Sequence, residues 1–282
     1  MKKLLLSIAF ISAVLMATLV VAIPEFKSAS TKGNGAVNVP AHAVEIAPGL
    51  YDLGISFDEQ SGKVVQGYAI YKYKEGYARG GIPGKPGNDG GDSSGTSSCY
   101  TFLAKDAKWK TNENYVVDVD NLDGLSDSFI RNNLAYDIQK WEDAASDNIL
   151  GNEINDVVDG ADTSSTDGKN EVYFADVSSN GAIAVTIVWG IFYGPPQGRE
   201  LVEWDQVYDD VDFEWTEDAV IESTKMDFES IATHELGHSV GLGDLYDSGC
   251  STMTMYGYGS EGETYARSLE DGDINGVKGL YN

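Results

Sequence analysis

The 282-residue chain is 42% hydrophobic, enough to bury a core, which excludes a chain disordered throughout. Its formal charge of −26 comes from 45 acidic against 19 basic side chains, and a surface of that sign repels nucleic acid and anionic lipid, excluding both as partners. The acidic excess is concentrated from residue 99 onward, whereas residues 23–98 are nearly balanced, so composition divides the chain in two.

Residues 1–22, MKKLLLSIAFISAVLMATLVVA, place Lys2 and Lys3 ahead of an apolar run and end on small residues around Ala22, the pattern of a signal peptide and hence of a secreted, extracellular protein. The apolar run is long, so an uncleaved membrane anchor is the alternative; otherwise no membrane partner is expected. Residues 23–79 read as a small pro-segment or accessory region, with two β-rich runs around EQSGK predicting a hairpin. Residues 80–98, GGIPGKPGNDGGDSSGTSS, cannot form a core and read as a linker; their few glycine triplets are too short for a collagen helix.

Residues 99–282 form the expected main domain. NYVVDVD, NEVYFAD, AIAVTIVW and ELVEWDQVYDDVDF predict strands. Between the first two, Ile130, Leu134, Ile138, Trp141 and Ala145 recur at helical spacing behind an N-cap at Ser126, which predicts an amphipathic helix lying on a sheet. SLEDGDINGVKGLYN predicts a short closing helix, with Ser268 and Asp271 spaced as a capping box.

The stretch HELGHSVGLGD, residues 234–244, carries the chemistry. His234 and His238 are four apart, so on a helix both imidazoles reach one ion, while Glu235 is turned towards the ion's open side, where it can hold a water. Two histidines leave a catalytic zinc short of its usual three protein ligands. Gly241 lets the chain turn back, which brings Asp244 into range as the third; Glu261, further downstream, is the rival. The acidic loop around NDVVDGADTSSTDGKN admits Ca²⁺ as a second cation, without EF-hand spacing.

This stretch resembles the extended zinc signature of the metzincin peptidases, closest to their matrixin-like and snapalysin-like groups, with Asp244 where most metzincins have a histidine. CSTMTMYGYG resembles their Met-turn, with Met255 the better candidate and Met253 the other. The resemblance covers about residues 99–282. It implies an α+β fold: a twisted, mostly parallel sheet with an antiparallel edge strand, packed on an N-terminal helix and the zinc-binding helix, with a short C-terminal helix. It also implies one catalytic zinc and a protein or peptide substrate, with Glu235 as general base and acid. Tyr256 and Tyr258 are candidates either for transition-state donors or for cleft walls, and ELVEWDQVYDD is a candidate edge strand for substrate addition. Cys99 and Cys250 are expected to pair in an exported chain; the alternative is that Cys99 occupies the zinc as a latency switch, although TSSCYTF lacks the pattern of the matrixin switch. The contrasting reading of the whole chain is a non-catalytic exported zinc- or calcium-binding structural or adhesion protein, which would have no use for Glu235.

Overall fold

The structure is a computed structural model that describes residues 36–77 and 98–282; the expected signal segment and linker residues 80–97 lie outside them. The elements run in chain order as β1 (Val44–Ala47), β2 (Leu50–Asp58), β3 (Lys63–Lys74), β4 (Tyr115–Val117), α1 (Asp127–Ala145), β5 (Asn170–Ala175), β6 (Ala182–Ile191), β7 (Glu200–Asp209), β8 (Trp215–Thr216), β9 (Met226–Asp227), α2 (Phe228–Ser239), β10 (Tyr258–Gly259) and α3 (Asp271–Tyr281).

The fold is α+β. One sheet has the order β1-β2-β3-β6-β7-β5-β4, with β10 added to β3. Within residues 99–282, β4, β5 and β7 are parallel and β6 runs antiparallel beside β7, as expected. The hairpin predicted around EQSGK forms as β2 and β3. It is not a separate body, however: β3 pairs antiparallel with β6 from Gln66 to Tyr73, so the N-terminal segment extends the main sheet. Composition did not reveal this, because strand pairing is written in backbone groups and not in charge.

Side chains alternate across this sheet. Val65, Ala69, Tyr71 and Tyr73 of β3 join Val185, Ile187 and Trp189 of β6 on one face, while Ile70 and Val188 join the helices on the other. The predicted stripe on α1 is buried from Ile130 to Ala145, and the Trp141 indole donates to the Thr233 carbonyl at 2.9 Å, fixing α1 across α2. Ser126 is the N-cap residue, but its hydroxyl donates to Glu217.

Two expectations need correction. ELVEWDQVYD is not an edge strand: as β7 it lies between β6 and β5, because the turn after Ile191 folds it back along β6 while β5 takes its other side. The capping box of α3 is Glu270 with Asp273, not Ser268 with Asp271, since Asp273 reaches back to the Glu270 amide at 2.9 Å. Cys99 and Cys250 form a disulfide across 151 positions, so Cys99 offers no thiolate. No helix among the described residues is long and apolar enough to cross a membrane.

Candidate metal centre

Asp227 starts α2 by accepting the Ser230 amide, and the helix then carries Ile231, Ala232 and Leu236 into the core beside His234, Glu235 and His238. After Ser239 the helix ends, and Gly241 adopts φ 105°, a conformation that costs glycine little. The chain turns under the helix and delivers Asp244. The result is a triad of ligand-type atoms, with His234 Nε2 and His238 Nε2 3.2 Å apart and Asp244 Oδ1 3.2 and 3.4 Å from them.

The hydrogen bonds around the triad define its chemistry. His234 Nδ1 lies 2.7 Å from the Thr254 carbonyl and His238 Nδ1 2.9 Å from the Leu242 carbonyl, so each ring places a proton on Nδ1 and turns Nε2 towards the triad. The Tyr246 hydroxyl donates to Asp244 Oδ2 at 3.0 Å, while Oδ1 is buried without a hydrogen-bond partner. Burial alone would raise the Asp244 carboxyl, but the two imidazoles outweigh it and hold it well below the usual range, so it is an anion. Burial, aided by the Lys72 ammonium, pushes His234 down to about 3, keeping that ring neutral. Burial alone would lower the His238 ring, but the Asp244 carboxylate outweighs it and pushes it above the usual value, so His238 carries the proton that balances the buried anion. A cation ligated by both Nε2 atoms and Oδ1 would take that proton's place, and tetrahedral zinc with bonds of about 2.0–2.1 Å needs its ligands about 3.3 Å apart, the spacing found here. The residues present fit zinc.

Glu235 is fully buried beside the triad, with Oε2 accepting from the Thr186 hydroxyl on β6 and Oε1 unpartnered. Burial pushes its carboxyl up to about 7. Met255 is buried, and its Sδ lies against the Gly237 backbone of α2; Met253 is buried as well but Met255 is the one in this place. Tyr256 and Tyr258 stand edge to face at 5.7 Å, and Tyr258 does the same with Tyr246 at 5.3 Å. Glu261 is elsewhere, paired with Lys74.

Three contributors escaped sequence reasoning. Thr186 comes from a strand that reads as uniformly apolar, and Tyr246 is one tyrosine among 16. Asp273 accepts the Thr254 amide at 2.9 Å and the Met255 amide at 3.1 Å, tying α3 to the turn that orients His234. Its position in the first turn of the closing helix was the available signal.

No curated protein is similar enough in sequence to serve as a relative. A family model described as matrixin matches residues 106–282, well over half of the chain and including every residue of the triad. The chain therefore belongs to the matrixin family of zinc-dependent metallopeptidases.

Proposed function

We propose that the protein is a secreted endopeptidase with one catalytic zinc held by His234, His238 and Asp244. The observation that carries this reading is the convergence of two imidazole Nε2 atoms and a carboxylate oxygen next to a buried glutamate with one free oxygen. Bound there, zinc supplies Lewis acidity to the scissile carbonyl and to the attacking water. Thr186 holds one oxygen of Glu235 and leaves the other to take the water's proton and return it to the leaving amine. Tyr246 aims Asp244 through Oδ2, and Met255 supports α2 from beneath. Tyr256 and Tyr258 flank the triad as candidate donors to the developing oxyanion. The non-catalytic alternative would call for a fourth protein ligand closing the site, whereas three ligand-type residues converge here.

The test is direct. Glu235→Gln should retain zinc at wild-type stoichiometry and lose peptide hydrolysis by orders of magnitude. Asp244→Ala should lose zinc under mild chelation while Glu261→Ala keeps it. Turnover that survives Glu235→Gln would sink the assignment. Secretion rests on residues 1–22, and the mass of the protein recovered from the medium reports whether they are removed.

We also infer a calcium site on the face of the sheet opposite α2. Glu203 and Asp205 in the middle of β7 and Glu171 at the start of β5 meet Asp159, Asp162 and Asp167 of the loop before β5. Backbone amides of Asp159, Gly160, Asp162, Asp167 and Gly168 donate into Glu171, Asp205 and Glu203 and shape the loop around them. Asp162 Oδ2 and Glu203 Oε1 are nevertheless buried without partners. Oxygen-only donors in such number suit calcium. Calorimetric titration should show calcium binding that Glu203→Gln weakens at least tenfold; unchanged binding would exclude this site.

A further inference from the structure

Every carbonyl from Gly237 to Leu242, along the end of α2 and the turn that leads to Asp244, accepts a hydrogen bond. The Leu242 amide serves Gly237 at 2.9 Å and the Gly241 amide serves His238 at 2.9 Å, which closes the turn on itself. His238 Nδ1 serves Leu242 at 2.9 Å. The remaining carbonyls look outward. The Trp109 indole donates to Ser239 at 2.7 Å, the Tyr281 hydroxyl to Val240 at 3.0 Å and the Leu103 amide to Gly241 at 3.0 Å. Trp109 and Tyr281 are themselves joined, because the Trp109 amide donates to the Tyr281 hydroxyl at 3.3 Å. The last carbonyls of a helix have no partner within it and commonly turn to water. Ser239, Val240 and Leu242 are fully buried, so their partners come from the protein.

Two segments supply them. Thr101–Leu103 runs antiparallel to Gly241–Gly243, with Phe102 opposite Leu242 and the Gly243 amide donating to the Thr101 carbonyl at 3.0 Å. Residues 101–109 thus form a strap along the turn. α3 makes room for the strap with glycine, since a Cβ on Gly276 would lie 2.9 Å from the Tyr100 Cβ and one on Gly279 3.2 Å from the Phe102 ring. Tyr281 stands in the last turn of α3, while Asp273, which carries the turn at Thr254, stands in the first. One helix therefore reaches the metal centre at both of its ends.

We infer that Trp109 and Tyr281 are positioning residues for the metal ligands His238 and Asp244. The inference rests on the metal-centre reading above. Val240 and Gly241 are the pivot between the two ligands. A buried carbonyl that loses its donor carries the full cost of its desolvation, and its peptide plane turns to find another partner. Turning at Ser239 or Val240 moves the Leu242 carbonyl, which orients the His238 ring, and Asp244 together. Zinc holds its ligands within about 0.2 Å of the preferred bond length, so a small turn at the pivot is felt as lost affinity.

The experiment uses the full chain and measures zinc affinity by competition with a chelating dye, the visible bands of the cobalt-loaded protein, and thermal melts. Trp109→Phe keeps an aromatic ring and removes the indole N–H; Tyr281→Phe removes only the hydroxyl. Tyr173→Phe is the control, because its buried hydroxyl accepts the Ala161 amide at 2.9 Å on the opposite face of the sheet. Each of these variants should melt below wild type. Trp109→Phe and Tyr281→Phe should also bind zinc about 10- to 100-fold more weakly and shift the cobalt bands. Tyr173→Phe should keep wild-type affinity and bands. Should Trp109→Phe not fold, Tyr281→Phe decides alone. A folded Tyr281→Phe with a lowered melting temperature but wild-type affinity and bands would overturn the inference and leave the pair as core packing. An equal loss of affinity in Tyr173→Phe would overturn it too, because affinity would then merely follow stability. Failure of the wild type to bind zinc or cobalt would instead refute the metal centre itself, and the inference with it.

Discussion

A Cβ placed on Gly237 would lie 2.1 Å from the Sδ of Met255 and 2.9 Å from the ring of Trp141. The glycine between the two histidines is therefore the gap into which the methionine fits. Gly237→Ala should destabilise the fold by about 1–3 kcal/mol through overpacking and weaken zinc retention. Gly198→Ala, with nothing within 4 Å, should be nearly neutral. Thermal melts and metal analysis of the two variants check this, and equal melting temperatures would contradict it.

Asp273 carries the turn at Thr254 and Met255 on its carboxylate and is itself fully buried. Asp273→Asn loses one acceptor and places an amide against backbone donors, so a loss of about 1–3 kcal/mol is expected. Because Thr254 orients His234, zinc should also dissociate faster. Stopped-flow transfer of zinc to a chelating dye measures that rate.

Tyr246→Phe should weaken zinc binding by about 10- to 100-fold, the usual effect of losing a residue that orients a ligand. Affinity unchanged from wild type would show that Asp244 needs no such support.

The convergence of His234, His238 and Asp244 was legible because the three lie within 11 positions, where helix geometry and one glycine turn determine the outcome. The α1 stripe was legible for the same reason. Contacts between distant segments were not. Lys72 and His234 are 162 positions apart, and nothing in KVVQGYAIYKYK distinguishes a hairpin that stands alone from one that completes a sheet. ELVEWDQVYDD was read as an edge strand open to substrate, but it is an inner strand whose Glu203 and Asp205 turn to a carboxylate cluster completed by Glu171 of β5 and the loop before it. Charge in sequence does not reveal which face of a strand is covered.

That cluster also sets a dependence on pH. Burial pushes Asp162 up to about 7, Asp167 to about 6 and Glu171 to about 8, each with neighbouring carboxylates adding to the shift. These folded values lie above the unfolded ones near 4, so the folded state holds extra protons between about pH 4 and pH 8. Stability of the calcium-free protein should be fully present at the acidic end of this window and fall as pH rises through it. Calcium, which takes the ionised forms, should abolish or reverse the fall. Melting curves from pH 5 to 8 in chelator and in calcium test both parts; a chelated protein that gains stability over this range would refute the first.

The disulfide closes a loop of 151 positions, which on the chain-entropy model stabilises the fold by up to about 5 kcal/mol. The double variant Cys99→Ser, Cys250→Ser should unfold at markedly lower denaturant. Because Cys250 lies five residues before Met255, zinc retention should fall as well. A midpoint within error of wild type would show that packing alone holds this end of the domain.

Both cysteines lie on one side of residues 78–97, so strands β1 to β3 are joined to the rest of the protein covalently only through that stretch of backbone. While the chain is continuous, β3 faces β6 at the millimolar effective concentration that a short tether provides. One cut in that stretch turns the pairing into an ordinary encounter between two molecules. From then on dilution favours dissociation of β3 from β6.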